Sequence, residues 1–423
     1  MQISFIIPSR NNLKYLKWGY EAIQKNKGNH DVELCYADDA STDGTWEWLT
    51  NLAKNDSNVK IYKNTGPDRV GHTILYDKLV NDFATNEICM IYHADMYLCP
   101  GALDAIENEM YTVIDAGDNG TRTKNEKRII SLTRIEPPLH PDGPEKILWD
   151  GGVEPEEFKE QELLDKLPDF KFKGGHRITC GIFAPWAFWK KDFQEIGGHD
   201  PLYRPQSKED SDIFNRFQLN GIDFLQTWEG FVYHMTCRGS RRNTADKAKN
   251  IYEDSPEWLA QNMRSTRNFI RKWGHFVKHD QWMKPIIPNK YNIGIRLKNG
   301  NLELLEALEP WCDRIYTEER FNVIGNIYDY IEKEQGNTDF DLTKRVHSLT
   351  GENDKFDYDD IVIEIDGKNF TQQDMRFISE ISTILDSSEL EIATFEIGNL
   401  KLTINHIETY TKDLINLKGA AKV

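Results

Sequence analysis

The 423-residue chain has little cysteine, no long apolar run and no surplus of basic charge, and each shortage removes a class of function. Its six cysteines are Cys35, Cys89, Cys99, Cys180, Cys237 and Cys312, with no C-x-x-C pair among them. Several fall inside apolar runs, so reduced and mostly buried thiols are expected rather than disulfides or a zinc site. No stretch reaches the roughly 20 apolar residues that span a bilayer. The start, MQISFIIPSRNN, has one short apolar run and no cleavage-site pattern, and reads as a strand rather than a signal peptide. The expectation is a soluble protein of a reducing, cytoplasmic compartment. Net charge is −17, and residues 291–423 carry 14 Lys/Arg against 26 Asp/Glu. That balance argues against a general binder of phosphate backbones, while a local basic groove stays open. Internal repeats and low-complexity tracts are also missing. The turn after the first strand, SRNN, lacks the glycines of a phosphate-cradling loop, which speaks against nucleotidyl transfer.

What is present suffices for sizeable cores: 39% hydrophobic residues, with 11 tryptophans and 20 phenylalanines, in a length that suggests two or three domains. Strands and helices alternate at first. Residues 2–7, Val32 to Ala37 and Val59 to Tyr62 read as strands, and Leu13 to Gln24, Thr45 to Ala53 and Gly71 to Phe83 as helices. This order predicts an α/β fold with a doubly wound, mainly parallel sheet. The next strand, Ile88 to Tyr92, is uniformly apolar, as a strand buried on both faces should be. It ends in His93-Ala94-Asp95, and Pro100-Gly101 then starts a helix at Ala102. Metal-capable side chains at the carboxyl end of such a strand stand where open α/β sheets bind ligands.

Residues 111–175 read as an inserted loop region rich in charge, Pro and Gly, with one strand, Arg128 to Leu132. Trp149 within it is either a platform for a sugar ring or, more commonly, a loop anchor. Further on, Ile213, Phe214 and Phe217 follow Glu209 and Asp210 at helical spacing. The two acids then stand at an exposed helix start, where the dipole would keep them ionised. Phe231 to Tyr233 reads as a strand end carrying His234, with Arg238, Arg241 and Arg242 in the turn beyond. Residues 251–285 hold an amphipathic helix ending at Gly274, and Lys284 to Pro288 mark a boundary. Beyond it IGIRL, DIVIEID and ELEIATFEIGNLKLTI read as strands, with helices near Leu302–Leu308, Val323–Glu334 and Gln372–Leu385. The domain expectation is 1–242, a helical connector 243–285, and a smaller, acidic α/β (α+β) domain 286–423.

Four of these pieces, in order, resemble family 2 glycosyltransferases of the GT-A fold, over residues 1–242. IIPSRNN stands where the family has a strand ending in proline and a small polar loop. ADDASTDGT stands where it has an Asp-Asp-Gly-Ser-x-Asp-x-Thr segment, with Ala40 in place of glycine. His93-Ala94-Asp95 matches the D-x-D segment, with His93 in place of the first acid. Gly197-Gly198-His199-Asp200 followed by Glu209-Asp210 matches a Gly-Gly-Phe-Asp segment and an acid pair. The resemblance implies a nucleotide-sugar donor, a UDP-sugar foremost, bound with Mn2+ or Mg2+. Pro8, Ser9, Arg10 and Arg69 would line the nucleotide pocket, and Asp38 or Asp39 would accept from a base N–H. Asp95 and His234 would hold the cation, with His93 as a ribose or sugar contact or a third ligand. Arg238 and Arg241 would grip the diphosphate. Asp210 would be the general base of an inverting transfer, with Glu209 beside it. The acceptor stays open among glycan, lipid, protein and modified nucleic-acid base, as does self-association through residues 286–423. A non-catalytic nucleotide-sugar-binding module is the alternative from another class.

Overall fold

The computed structural model describes residues 1–113, 122–175, 178–179, 183–238, 241–242, 253–321, 325–349, 359–389 and 391–416. Cys180, Gly239 and Ser240 lie outside them. The chain divides into two compact units. The first comprises Met1–His199, Arg204–Gln261 and His279–Pro285, and the second Asp200–Tyr203, Asn262–Lys278 and Ile286–Val423.

In the first unit the opening β-α alternation is present: β1 (Gln2–Ser9), α1 (Leu13–Asn26), β2 (Asp31–Asp39), α2 (Thr45–Asn55), β3 (Val59–Asn64), α3 (His72–Lys78) and β4 (Ile88–Ile91). The apolar run of β4 is buried throughout because it lies inside the sheet, parallel to β1 on one side. After it come β5 (Met96–Leu98), α4 (Ala102–Met110) and a hairpin of β6 (Tyr111–Val113) and β7 (Arg122–Lys124). Then follow β8 (Arg128–Glu136), β9 (Lys146–Leu148), α5 (Glu160–Gly174), β10 (Ile178–Thr179) and β11 (Trp186–Trp189). The series closes with α6 (Lys190–Glu195), α7 (Glu209–Leu219) and β12 (Asp223–His234). The sheet order is β10-β12-β8-β11-β4-β1-β2-β3, with β5 added on β12 and β9 on β8. Parallel pairs dominate, and β11 runs antiparallel to both β4 and β8.

The stretch 111–175 is not the loop region expected. Its strand continues to Glu136, and Glu160–Gly174 is a 15-residue helix despite Pro168 inside it. The helix forms because Leu163, Leu167, Phe170 and Gly174 share one buried face, from which the three apolar side chains join a core with Tyr97, Phe231 and Tyr233. Tertiary burial of that stripe outweighs the proline, which costs an isolated helix about 3 kcal/mol. Trp149 packs edge-on against Tyr233, 5.9 Å between centroids, and serves as an anchor. The five cysteines among the described residues are free, and all but Cys237 are buried.

The second unit has its own six-stranded sheet. With β13 (Ile293–Lys298), β14 (Arg314–Thr317), β15 (Val346–Ser348), β16 (Ile361–Asp366), β17 (Thr394–Ile397) and β18 (Leu400–Ile404), the order is β15-β14-β13-β16-β18-β17. The first four pair in parallel, and β17 and β18 form an antiparallel hairpin. The helix expected over Gln372–Leu385 is two helices, Gln372–Ser379 and Ile381–Ser387, parted at Glu380. Inside this unit Glu309 is fully buried between the guanidinium groups of Arg271 (2.7 Å) and Arg345 (2.6 Å). No helix among the described residues is long and apolar enough to cross a membrane.

Candidate active site

A cleft of about 270 Å³ opens at the carboxyl ends of β1, β2 and β4. Its walls include Pro8, Ser9 and Arg10 at the end of β1, Asp39 at the end of β2, Arg69 and His72 around the start of α3, His93 and Asp95 after β4, His234 at the end of β12 and Arg241 beyond it. Of the residues expected from the sequence, Asp38, Glu209, Asp210 and Arg238 do not line it.

The two neighbouring aspartates of β2 have different tasks. Asp38 is fully buried and accepts from the Ser41 amide (3.2 Å), and burial raises its pKa. Asp39 clamps the next loop: Oδ1 accepts from Asn64 Nδ2 (2.7 Å) and the Val70 amide (2.9 Å), and Oδ2 from the Gly71 amide (2.8 Å). Gly71 takes a φ of +87°, and a Cβ there would stand 2.1 Å from the Pro205 carbonyl oxygen, so only glycine lets the start of α3 reach this position. Arg10 reaches back to the Asp39 and Ala40 carbonyls (3.0 and 3.2 Å), while the buried Ser9 hydroxyl has no protein partner.

Strand pairing builds the metal-capable cluster. β5 runs antiparallel to β12 with Met96 opposite His234, which sets the imidazole beside Asp95. His93, Asp95 and His234 offer ligand atoms that all lie within 4.8 Å of one another. β12 also runs parallel to β8, Tyr233 opposite Ile135, so Glu136 arrives behind His234. His234 therefore has Nε2 3.4 Å from Asp95 Oδ1 and Nδ1 2.9 Å from Glu136 Oε1. Burial alone would lower the His234 pKa, but the two carboxylates outweigh it and push it up to about 9. The same pairing brings Asp95 down to about 2 against its burial. His93, half-buried, is pushed down to about 3 by loss of solvent and then by the His234 charge, and stays a neutral donor atom. Two imidazoles and one carboxylate suit a divalent transition cation better than calcium, which prefers an all-oxygen shell.

Glu136 was not among the expected site residues. Its signal was thin, because the strand was read as ending at Leu132. Carboxylates behind metal-ligating histidines fix the ring and its tautomer. Glu136→Gln is expected to weaken Mn2+ binding by about 10- to 100-fold while the protein stays folded, measured by calorimetry with Mn2+ alone.

The acid pair opens α7 as expected, but its two carboxyls are shifted in opposite directions. Glu209 is buried, with Oε1 2.6 Å from His72 Nε2; burial alone would raise its pKa, and the imidazole outweighs that and lowers it. Asp210 is pushed up to about 6 by burial and by the Glu209 charge, so desolvation outweighs the helix dipole. The phenol of Tyr76, which lines the cleft, is raised well above its ordinary range by burial and by the charges of Asp210, Glu209 and Asp95. The neighbouring acids are committed elsewhere: Asp212 pairs with Arg216 (2.7 Å), and Asp200 with Lys272 (2.7 Å). The Gly-Gly-His-Asp stretch is scaffold as well. His199 binds Asp77 (2.9 Å) and the Gly198 carbonyl accepts from Arg216 (2.6 Å), which fixes α7.

The arginines after β12 diverge. Arg238 is buried on the Thr236 carbonyl (2.9 Å) and Glu154 (3.3 Å). Arg241 lines the cleft, paired twice with Asp254 (2.8 and 3.0 Å) and stacked 4.3 Å from the Trp258 ring centre.

The layout is a doubly wound, parallel-dominated α/β sheet with the cleft at its carboxyl edge. Residues 4–150 match the family model described as "Glycosyl transferase family 2", so this stretch is a family 2 glycosyltransferase segment. The chain is 32% identical over 120 residues to the abequosyltransferase RfbV of Salmonella typhimurium, an alignment covering 27% of this chain and 34% of that protein. It thus spans about a third of the curated relative's length. Among solved structures, GalNAc-T7 with UDP, GalNAc and Mn2+ is similar at 14% identity and a TM-score of 0.41, covering 55% of this chain and 43% of that one. The mannosyltransferase PcManGT of Pyrobaculum calidifontis with GDP-Man and Mn2+ is similar at 15% identity and a TM-score of 0.41, covering 67% of each chain.

Proposed function

We propose that the chain is a metal-dependent, inverting glycosyltransferase that moves a sugar from a nucleotide-sugar donor, a UDP-sugar first, to an acceptor hydroxyl. The observation that carries this reading is the His93–Asp95–His234 cluster sharing one cleft with Ser9, Arg10 and Asp39, beside an acid pair at a helix start. Asp39 Oδ2 keeps a lone pair for the N–H of a pyrimidine base, and the Ser9 hydroxyl is left to donate to the nucleotide. Asp95 and His234, with His93, would hold Mn2+ or Mg2+. Such a cation, when bound, neutralises charge on a diphosphate leaving group. Arg241 and Arg69 add positive charge to the same cleft. Asp210, with its pKa near 6, takes the proton of the acceptor hydroxyl, whose oxygen bonds to the anomeric carbon from the side opposite the diphosphate as the bond from that carbon to the diphosphate oxygen breaks. That geometry inverts configuration.

The reading is tested by screening UDP- and GDP-sugars for Mn2+-dependent hydrolysis with the full chain, because water can replace an unknown acceptor. Release of nucleoside diphosphate from at least one donor is expected. Tight nucleotide-sugar binding with no hydrolysis and no dependence on Mn2+ would favour a binding module instead.

A further inference from the structure

His72 stands at the start of α3 and was not expected at the site. Three contacts hold it: the Asp39 clamp on Val70 and Gly71, the close approach of Gly71 to Pro205, and the 2.6 Å bond from Nε2 to Glu209 Oε1. Its ring lines the cleft and is a third exposed, and with Nε2 engaged, Nδ1 is the nitrogen left for a ligand. Behind it Glu209 is only 5% exposed, and its Oε2 has no hydrogen-bond partner.

We propose that His72 and Glu209 act as one recognition pair for the transferred sugar, with the imidazole Nδ1 edge meeting its hydroxyl groups and Glu209, buried behind the ring, holding it there through Nε2. The inference rests on the donor reading above. In an inverting transfer the sugar lies between the base and the diphosphate. Glu209 adjoins Asp210 in the chain and His72 forms the cleft wall in front of it, so the pair borders the sugar. The nucleotide side is lined by residues of β1 and β2 instead. Charge points the same way. A histidine locked onto a carboxylate offers a phosphate no net positive charge, whereas hydroxyls both donate and accept. Glu209 also raises the His72 pKa against the effect of burial.

The test compares full-length parent, His72→Gln and Glu209→Gln, each loaded with Mn2+, by calorimetry with a panel of UDP- and GDP-sugars and with UDP and GDP alone. For the best donor of the parent, each variant should lose about 10- to 100-fold in affinity, the worth of a hydrogen bond to a charged group, while its nucleoside diphosphate binds within about twofold of the parent. An equal loss with the bare diphosphate would overturn the inference in favour of a phosphate contact, and no loss would overturn it outright while leaving the donor reading standing. A parent that binds neither probe removes both. Should a variant not fold, the parent itself decides with singly deoxygenated forms of its best donor. At least one must bind about 10-fold or more weakly, and uniform affinity across the series overturns the pair.

Discussion

Asp210→Asn is expected to lower turnover by about two to four powers of ten, the usual contribution of a general base. The amide keeps the shape of the carboxylate and can still accept a hydrogen bond from the acceptor, but it cannot take the proton. Donor affinity should hardly change, since Ser9, Asp39 and Asp95 lie on other strands. The pKa near 6 fixes the pH dependence. The ionised form is the active one, so the parent's turnover should rise with pH through about 6 and level off above it. Stability runs the other way. A carboxyl whose folded pKa lies above its unfolded value binds more protons in the folded state, so its contribution falls as pH rises from about 4, the unperturbed value, to 6. Above pH 6 Asp210→Asn should therefore melt at or above the parent's temperature while being nearly inactive. The checks are hydrolysis rates at saturating Mn2+ across pH 5–8 and thermal melts at pH 8. Turnover within a few-fold of the parent would move the base to another group, and since Asp200 and Asp212 are already paired, Glu209 would be next.

The second large effect is expected at Asp95. It is the sole carboxylate in the three-residue cluster, and its low pKa keeps it ionised over the whole working range. Asp95→Ala leaves two imidazoles, which serve manganese poorly without an oxygen anion. Loss of Mn2+ affinity by more than about 100-fold is expected, beyond what loss of a supporting residue such as Glu136 costs. Mn2+-dependent donor binding and hydrolysis should disappear with it. His93→Asp should have the opposite sign, because it places a second oxygen ligand where the family's D-x-D pattern has an acid; metal binding should be kept or strengthened. Titration of Mn2+ into each variant, with and without UDP, reads both. Parent-like Mn2+ binding by Asp95→Ala would displace the cation site from this cleft.

The β-α order of the first 110 residues was legible because every element declares itself locally. Ile88 to Ile91 is apolar without a break, helices α1 and α2 have period and polar flanks, and the loops between them hold the site's small and acidic residues. Asp95 and His234 were legible as candidates for the same reason: each ends an apolar strand. Their meeting was not, because the pairing of Met96 with His234 joins residues far apart in the chain, and no local pattern encodes a register of that span. Glu136 and His72 were missed on this ground. Glu136 matters through the lateral pairing of β8 with β12, and His72 through a bond to a helix 137 positions away. Helix α5 was missed because Pro168 argues locally against it, while the burial that pays for it comes from β12. Charge states belonged wholly to the tertiary structure. A helix start predicts an ionised acid, but whether Asp210 stays so depends on how much water its neighbours remove, and there desolvation and Glu209 outweigh the dipole. The sequence by itself determined which side chains could do the chemistry. Packing decided which of them face the cleft, which are tied down beneath it, and in which direction each one's pKa moves.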